Sequence, residues 1–239
     1  MGAAGLAALT FLLPLVDAPA LSRTARIAAY ALVLAPVALV LDGSLLSARG
    51  YATSRLLILG AAAGASGFLF ALIARPENLE NGSWALLSLA LANLLRIAAA
   101  ACVGISLARY VSSVGVVLLI VAVATASDLF SVFAGPTKTL IEEDSPVLDF
   151  LLLVFPTFGS PLGFGLGVSD FIFLALFAAA SRFLNLRYLA TLLGLCLATF
   201  LAMTAGLLLE RPLPALPFIA LAFVLVNLDL IIRSLTRRS

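Results

Sequence analysis

The chain contains no histidine, one lysine, two cysteines and little charge of either sign: 11% of its 239 residues are Asp, Glu, Lys or Arg, against 63% hydrophobic. Each scarcity excludes something. Soluble domains carry about a quarter charged residues. A chain this apolar and this short has lipid as its solvent. Without histidine there is no HExxH zinc site and no Ser–His nucleophile couple. The net charge is +2 and comes from arginines scattered among the hinges, with Lys138 the sole lysine. Such scatter makes no basic stripe, so no nucleic-acid partner is expected. Cys102 and Cys196 both lie within apolar runs and read as packing residues, not as a disulfide or metal ligands. Neither metal nor cofactor is implied.

What is present is a series of apolar runs punctuated by Arg, Asp, Gly and Pro. They cover residues 2–16, 27–41, 56–74, 84–107, 111–134, 164–181, 188–209 and 213–232. A crossing helix needs about 20 residues, so the first two runs must borrow from their flanks. The expected fold is all-α: one integral membrane domain over residues 1–239, a polytopic bundle of about eight to nine spans. Residues 1–110 form an N-terminal scaffold and 111–239 the functional half. Only helices are expected, because hydrocarbon offers backbone groups no other partner, and the alternation of barrel strands is absent. Residues 1–21 lack a basic n-region, and Ala18-Pro19-Ala20 resembles a cleavage site only faintly. A retained first helix is the better reading. Residues 147–158 are twelve mostly apolar residues after the one long polar interval. They are too short to span and are expected to be re-entrant, interfacial or mobile. Gly60 and Gly64 make a small-xxx-small face suited to close helix packing.

Acids inside membrane spans are costly and mark function by default. Two stand well inside strong runs, Asp128 and Asp170. Asp128 precedes the end of its run by six residues and Asp170 follows the start of its run by six, about 9 Å of helix in each case. The runs are consecutive and antiparallel, so the carboxyls are expected at one depth, near one membrane face. Two close carboxyls share a proton. The ionised one can take a proton from water while the protonated one polarises a carbonyl. The plainer alternative is that each aspartate pairs with an arginine, Arg96 being the mid-span choice, or caps a helix. Asp229 has Arg233 four residues on as a partner. Asp17 belongs at an interface, and Asn93 and Asn227 suit interhelical hydrogen bonds. Asn81-Gly82-Ser83 is a formal glycosylation sequon, read as chance.

Three segments resemble the presenilin and signal peptide peptidase family of intramembrane aspartyl proteases. Ser127-Asp128 with the following Leu-Phe-Ser-Val-Phe-Ala-Gly-Pro136 resembles the family's Tyr-Asp segment. Gly167-Val168-Ser169-Asp170-Phe171-Ile172-Phe173 is similar to its GxGD segment, and Leu213-Pro214-Ala215-Leu216-Pro217 to its PAL motif. Gly194-Leu195-Cys196-Leu197 upstream looks presenilin-like too. The order and rough spacing are those of the family, over the second half of the chain. The resemblance implies an endopeptidase that cuts transmembrane helices or signal-peptide remnants, with Asp128 and Asp170 catalytic. Pro214, Ala215, Leu216, Gly167 and Ser169 would shape substrate binding. Ser127 stands where the family has Tyr, and Ser169 where it has the second Gly; a register through Gly165-Leu166-Gly167 leaves two extra residues before Asp170. From the residues themselves, Pro212, Pro214 and Pro217 are expected to delay a regular helix and leave backbone groups for an extended peptide.

Arginine placement sets orientation. With eight spans, Arg49, Arg55, Arg109, Arg182, Arg187, Arg233, Arg237 and Arg238 fall on the side of the termini. Arg23, Arg26, Arg75, Lys138 and Arg211 fall on the other. This places the C-terminus in the cytoplasm of an inner or plasma membrane and the aspartates nearer the outer face, as in signal peptide peptidases. Three alternatives stay open. A type IV prepilin peptidase would normally carry a lysine soon after the second Asp, where this chain has Phe-Ile-Phe-Leu. A proton-coupled carrier would use the same acids. An inactive relative would only bind membrane helices.

Overall fold

The computed structural model describes residues 2–15, 23–74, 83–135, 151–211 and 213–236. Eight helices occur there: α1 Gly2–Leu12, α2 Arg23–Ser47, α3 Thr53–Ile73, α4 Ser83–Ala108, α5 Val114–Phe133, α6 Val168–Phe183, α7 Tyr188–Leu209 and α8 Leu216–Thr236. They form an α-helical bundle, and six of them are long and apolar enough to cross a membrane. The two exceptions are α1, an 11-residue helix followed by a 3₁₀ turn, and α6, of 16 residues. The chain is thus a multi-pass membrane protein.

The surface explains itself only in lipid. On α7, Leu189, Leu193, Leu197 and Leu201 recur every fourth residue and are 48–65% exposed. In water such a stripe would drive aggregation; in a bilayer it faces acyl chains. Without a hydrophobic force between helices, close packing has to hold them together. Gly60 and Gly64 of α3 supply it against α4, where a Cβ on Gly60 would lie 2.9 Å from Cys102 Cβ. Gly104 of α4 lies against the α6 backbone: a Cβ there would meet Ile172 O and would come within 2.9 Å of Leu176 N. Gly194 does the same for α7 and α8, facing Val226. Polar bonds add to this. Asn227 on α8 donates to Thr191 Oγ1 of α7 and accepts from Arg187 N–H, the interhelical role its sequence position suggested.

One element departs from the all-helical expectation. Leu152–Thr157 (β1) and Ser160–Gly167 (β2) form an antiparallel hairpin, with Leu153 opposite Leu166 and Phe155 opposite Phe164. The run over 164–181 is therefore strand to Gly167 and helix from Val168. The hairpin satisfies its inner backbone groups by itself, and its first strand is largely buried in protein, which is where non-helical backbone is tolerated at membrane depth. Phe155 is fully buried, stacks on Phe164 at 5.4 Å and lies 6.2 Å from Phe171 of α6. The hairpin tip reaches the 3₁₀ turn after α1, Gly159 N–H donating to Leu13 O. The start of the last run is corrected in part: 213–215 is not helical, but α8 begins at Leu216 and takes Pro217 in its first turn, where a missing N–H costs nothing. Asp17, the Ala18-Pro19-Ala20 stretch, Asn81 and Gly82 of the sequon, the polar interval from Pro136 and the first part of 147–158 lie outside the described residues.

Candidate functional site

Ser113 starts α5 by accepting from Val116 N–H, and the helix runs on to carry Asp128 in its last two turns. Asp170 is in the first turn of α6, its Oδ2 accepting from Gly167 N–H at 3.2 Å. Asp128 Oδ2 accepts from Leu216 N–H at 3.0 Å, the first residue of α8. Each carboxyl thus receives a helix-start N–H, where the helix dipole favours negative charge. The capping alternative is real for both aspartates. It engages one oxygen of each: among the described residues, Oδ1 of neither carboxyl accepts a hydrogen bond.

The two carboxyls line one cavity of about 470 Å³, and the Asp128 charge acts on Asp170. Gly167, Ser169, Pro214 and Ala215 line it as well. Leu216 does not; its side chain is buried in the core, and only its N–H reaches the site, at Asp128. Ser127 is exposed on α5 and is not part of the lining.

The equal-depth reading requires revision. Asp170 is preceded by strand and not by a turn and a half of helix, so its position is set by the end of β2. Arg96 is not an ion-pair partner for either aspartate. It is 7% exposed on α4 and its Nη1 donates to Leu152 O at 2.9 Å. Asn93, one turn earlier, donates through Nδ2 to Val154 O, so its bond goes to the hairpin and not to another helix. Asp229 pairs with Arg187 at 2.7 Å and not with Arg233.

Those two bonds to β1 decide which edge of the hairpin is free. Residues 152 and 154 point their backbone groups away from β2, toward Asn93 and Arg96, so that edge is sealed by side chains from α4. The inward-facing pairs are then Leu153 with Leu166 and Phe155 with Phe164. This turns the backbone groups of Gly165 and Gly167 outward on β2, and both glycines line the cavity beside the aspartates. Glycine in a strand lets another backbone approach closely.

Two lining residues carry no signal in the sequence. Tyr30 comes from α2, buried and set edge-on to Phe164 at 4.6 Å. Arg211 follows Glu210, whose left-handed backbone (φ 53°) ends α7. Nothing in local spacing links either to Asp128. Among the described residues no group of three or more His, Cys, Asp or Glu side chains could hold a metal ion. Compared with known family models, curated proteins and solved structures, the chain matches none.

Proposed function

We propose that this protein is an intramembrane aspartyl endopeptidase, with Asp128 and Asp170 as its catalytic pair. The observation that carries the reading is the shared cavity: two carboxyls from different helices, each with one uncommitted oxygen, beside an open strand edge. The motif resemblance of the second half points the same way.

The chemistry follows from the groups present. A peptide bond in a helix is hydrogen-bonded and shielded, so the substrate must be extended before it is cut. The outward N–H and C=O of Gly165 and the C=O of Gly167 offer it a strand partner, the Gly167 N–H being held by Asp170, and the non-helical 213–215 stretch forms another wall. The pair holds one proton between its two carboxyls. The ionised carboxylate takes a proton from water as the water oxygen attacks the carbonyl carbon. The protonated carboxyl gives its proton to the carbonyl oxygen. Collapse of the tetrahedral diol breaks the C–N bond. The amine leaves with a proton from one aspartate, and a diol hydroxyl returns one to the other. No covalent intermediate forms. The substrates are transmembrane peptides or signal-peptide remnants whose N-termini face the cytoplasm.

The test is cleavage of a fluorogenic transmembrane peptide by purified protein. Asp128→Asn and Asp170→Asn keep the size and remove the titratable group. Each is expected to lower kcat by at least about 10²-fold, the low end for acid–base catalysis. Equal cleavage by wild type and both variants would assign the activity to another protein. A silent wild type that instead drives ion-coupled uptake in liposomes would favour the carrier reading. A one-proton pair also predicts a bell-shaped pH–rate profile. A flat profile across both limbs, with the protein still folded, would count against it.

A further inference from the structure

A second hollow lies at the other end of α6. Arg182 follows Asp170 by twelve residues, about 18 Å along the helix. The hollow is about 410 Å³, and Arg49, Arg109 and Arg182 line it together with Tyr51 and Phe183; among the described residues, no acidic side chain does. These three arginines come from three segments that the arginine distribution puts on one membrane face. Arg109 is held in place, donating to Thr53 Oγ1 at 3.1 Å and to Ala48 O at 2.9 Å. Arg182 lies over the Tyr188 ring at 4.6 Å, and its Nη1 is buried without a hydrogen-bond partner. Asp42 reaches this region by accepting from the Tyr188 hydroxyl, but it does not line the hollow.

Helix capping does not account for all of this charge. Three helix C-termini, those of α2, α4 and α6, end here, each worth about half a negative charge. Three guanidiniums outweigh these termini by roughly one and a half charges, and the Asp42 carboxylate on the Tyr188 hydroxyl offsets about one of them.

A third hollow, about 460 Å³, shares Ala48, Tyr51 and Ile105 with the second and runs on past Gly43 to Leu39 and Leu59. Ala48 to Leu39 is about 13 Å of helix, heading from the membrane face toward its interior. A Cβ on Gly43 would meet nothing within 4 Å, so this groove is unfilled. A cationic head pocket that shares the wall residues Ala48, Tyr51 and Ile105 with a neighbouring apolar groove suits a ligand with an anionic head and an apolar tail. We propose that it binds an anionic phospholipid, with the phosphate on Arg49, Arg109 and Arg182 and an acyl chain along α2. Basic pockets between helices at the cytoplasmic face hold such headgroups. A free phosphate would use the head pocket alone and leave the groove irrelevant.

The experiment is native mass spectrometry of the full chain released from nanodiscs of equimolar phosphatidylglycerol and phosphatidylcholine. Preferential retention of phosphatidylglycerol is expected. Arg49→Gln and Arg182→Gln should each lower that preference about fivefold. Gly43→Leu fills open space and should abolish retention while the melting temperature stays unchanged. Equal retention of both lipids by the wild type overturns the proposal. So does displacement of the lipid by millimolar inorganic phosphate with no effect of Gly43→Leu, which would define a free-anion site. The readout is independent of proteolysis, so it stands or falls apart from the aspartyl reading.

Discussion

Asn93 and Arg96 show how a residue's type and its role come apart. A buried arginine in a membrane helix suggests an acid partner, and the chain offers several acids. Here the guanidinium is used on one backbone carbonyl, Leu152 O, because β1 presents an edge that needs donors where water is absent. Removing either side chain has a different consequence. Asn93→Leu leaves Val154 O unpaired and should cost about 1–3 kcal/mol, seen as a lower melting temperature in detergent. Arg96→Met also strips Leu152 O, but it removes a cation whose burial is expensive. Its melting temperature should change little, while peptide cleavage falls because β1 is no longer fixed. Full cleavage by Arg96→Met would mean that the α4 seal does not position the site. At this scale the sequence displayed the aspartates well, since an intramembrane acid is rare enough to be a signal. It could not display Tyr30 or Arg211, which join the cavity only through folding.

The hairpin is the element that sequence periodicity missed. Its second strand, Ser160–Gly167, alternates large apolar residues with glycine, a period-2 signal that an apolar-against-polar reading passes over. An apolar run followed by an apolar helix reads as one helix when both are buried. What separates them is the tertiary setting: α4 donors on one edge and the aromatic stack on Phe155 and Phe171 beneath. The hairpin can be tested where it is tightest. A Cβ on Gly163 would collide with the Thr157 side chain. Gly163→Ala should therefore lower both stability and cleavage, and Thr157→Ala in the same chain should restore part of each. Loss without any rescue would show that the cross-strand contact is not the cause. The α4–α6 crossing has no such flexible partner. Gly104→Ala places its Cβ against backbone and should cost about 1–3 kcal/mol, measured as the same drop in melting temperature with or without Thr157→Ala.

For the whole molecule, three arginines from distant segments meet in space. Arg49, Arg109 and Arg182 share one hollow, and Arg23 pairs with Glu210 beside Arg211 at the other end. Sidedness relative to the cell follows from the positive-inside rule: the C-terminus should be cytoplasmic. A C-terminal tag should resist protease in right-side-out vesicles, and its digestion there would reverse the orientation. By itself the sequence determined the solvent, the existence of the helices and the two acids worth watching. These follow from composition, run length and the cost of charge in lipid, all of which are local. Only the tertiary structure decided that both carboxyls face one cavity, that one hairpin edge is sealed and the other open, and that three distant arginines meet above an apolar groove. Those depend on which helix faces which, a matter of close backbone contacts such as Gly104 against α6, and no local pattern encodes it.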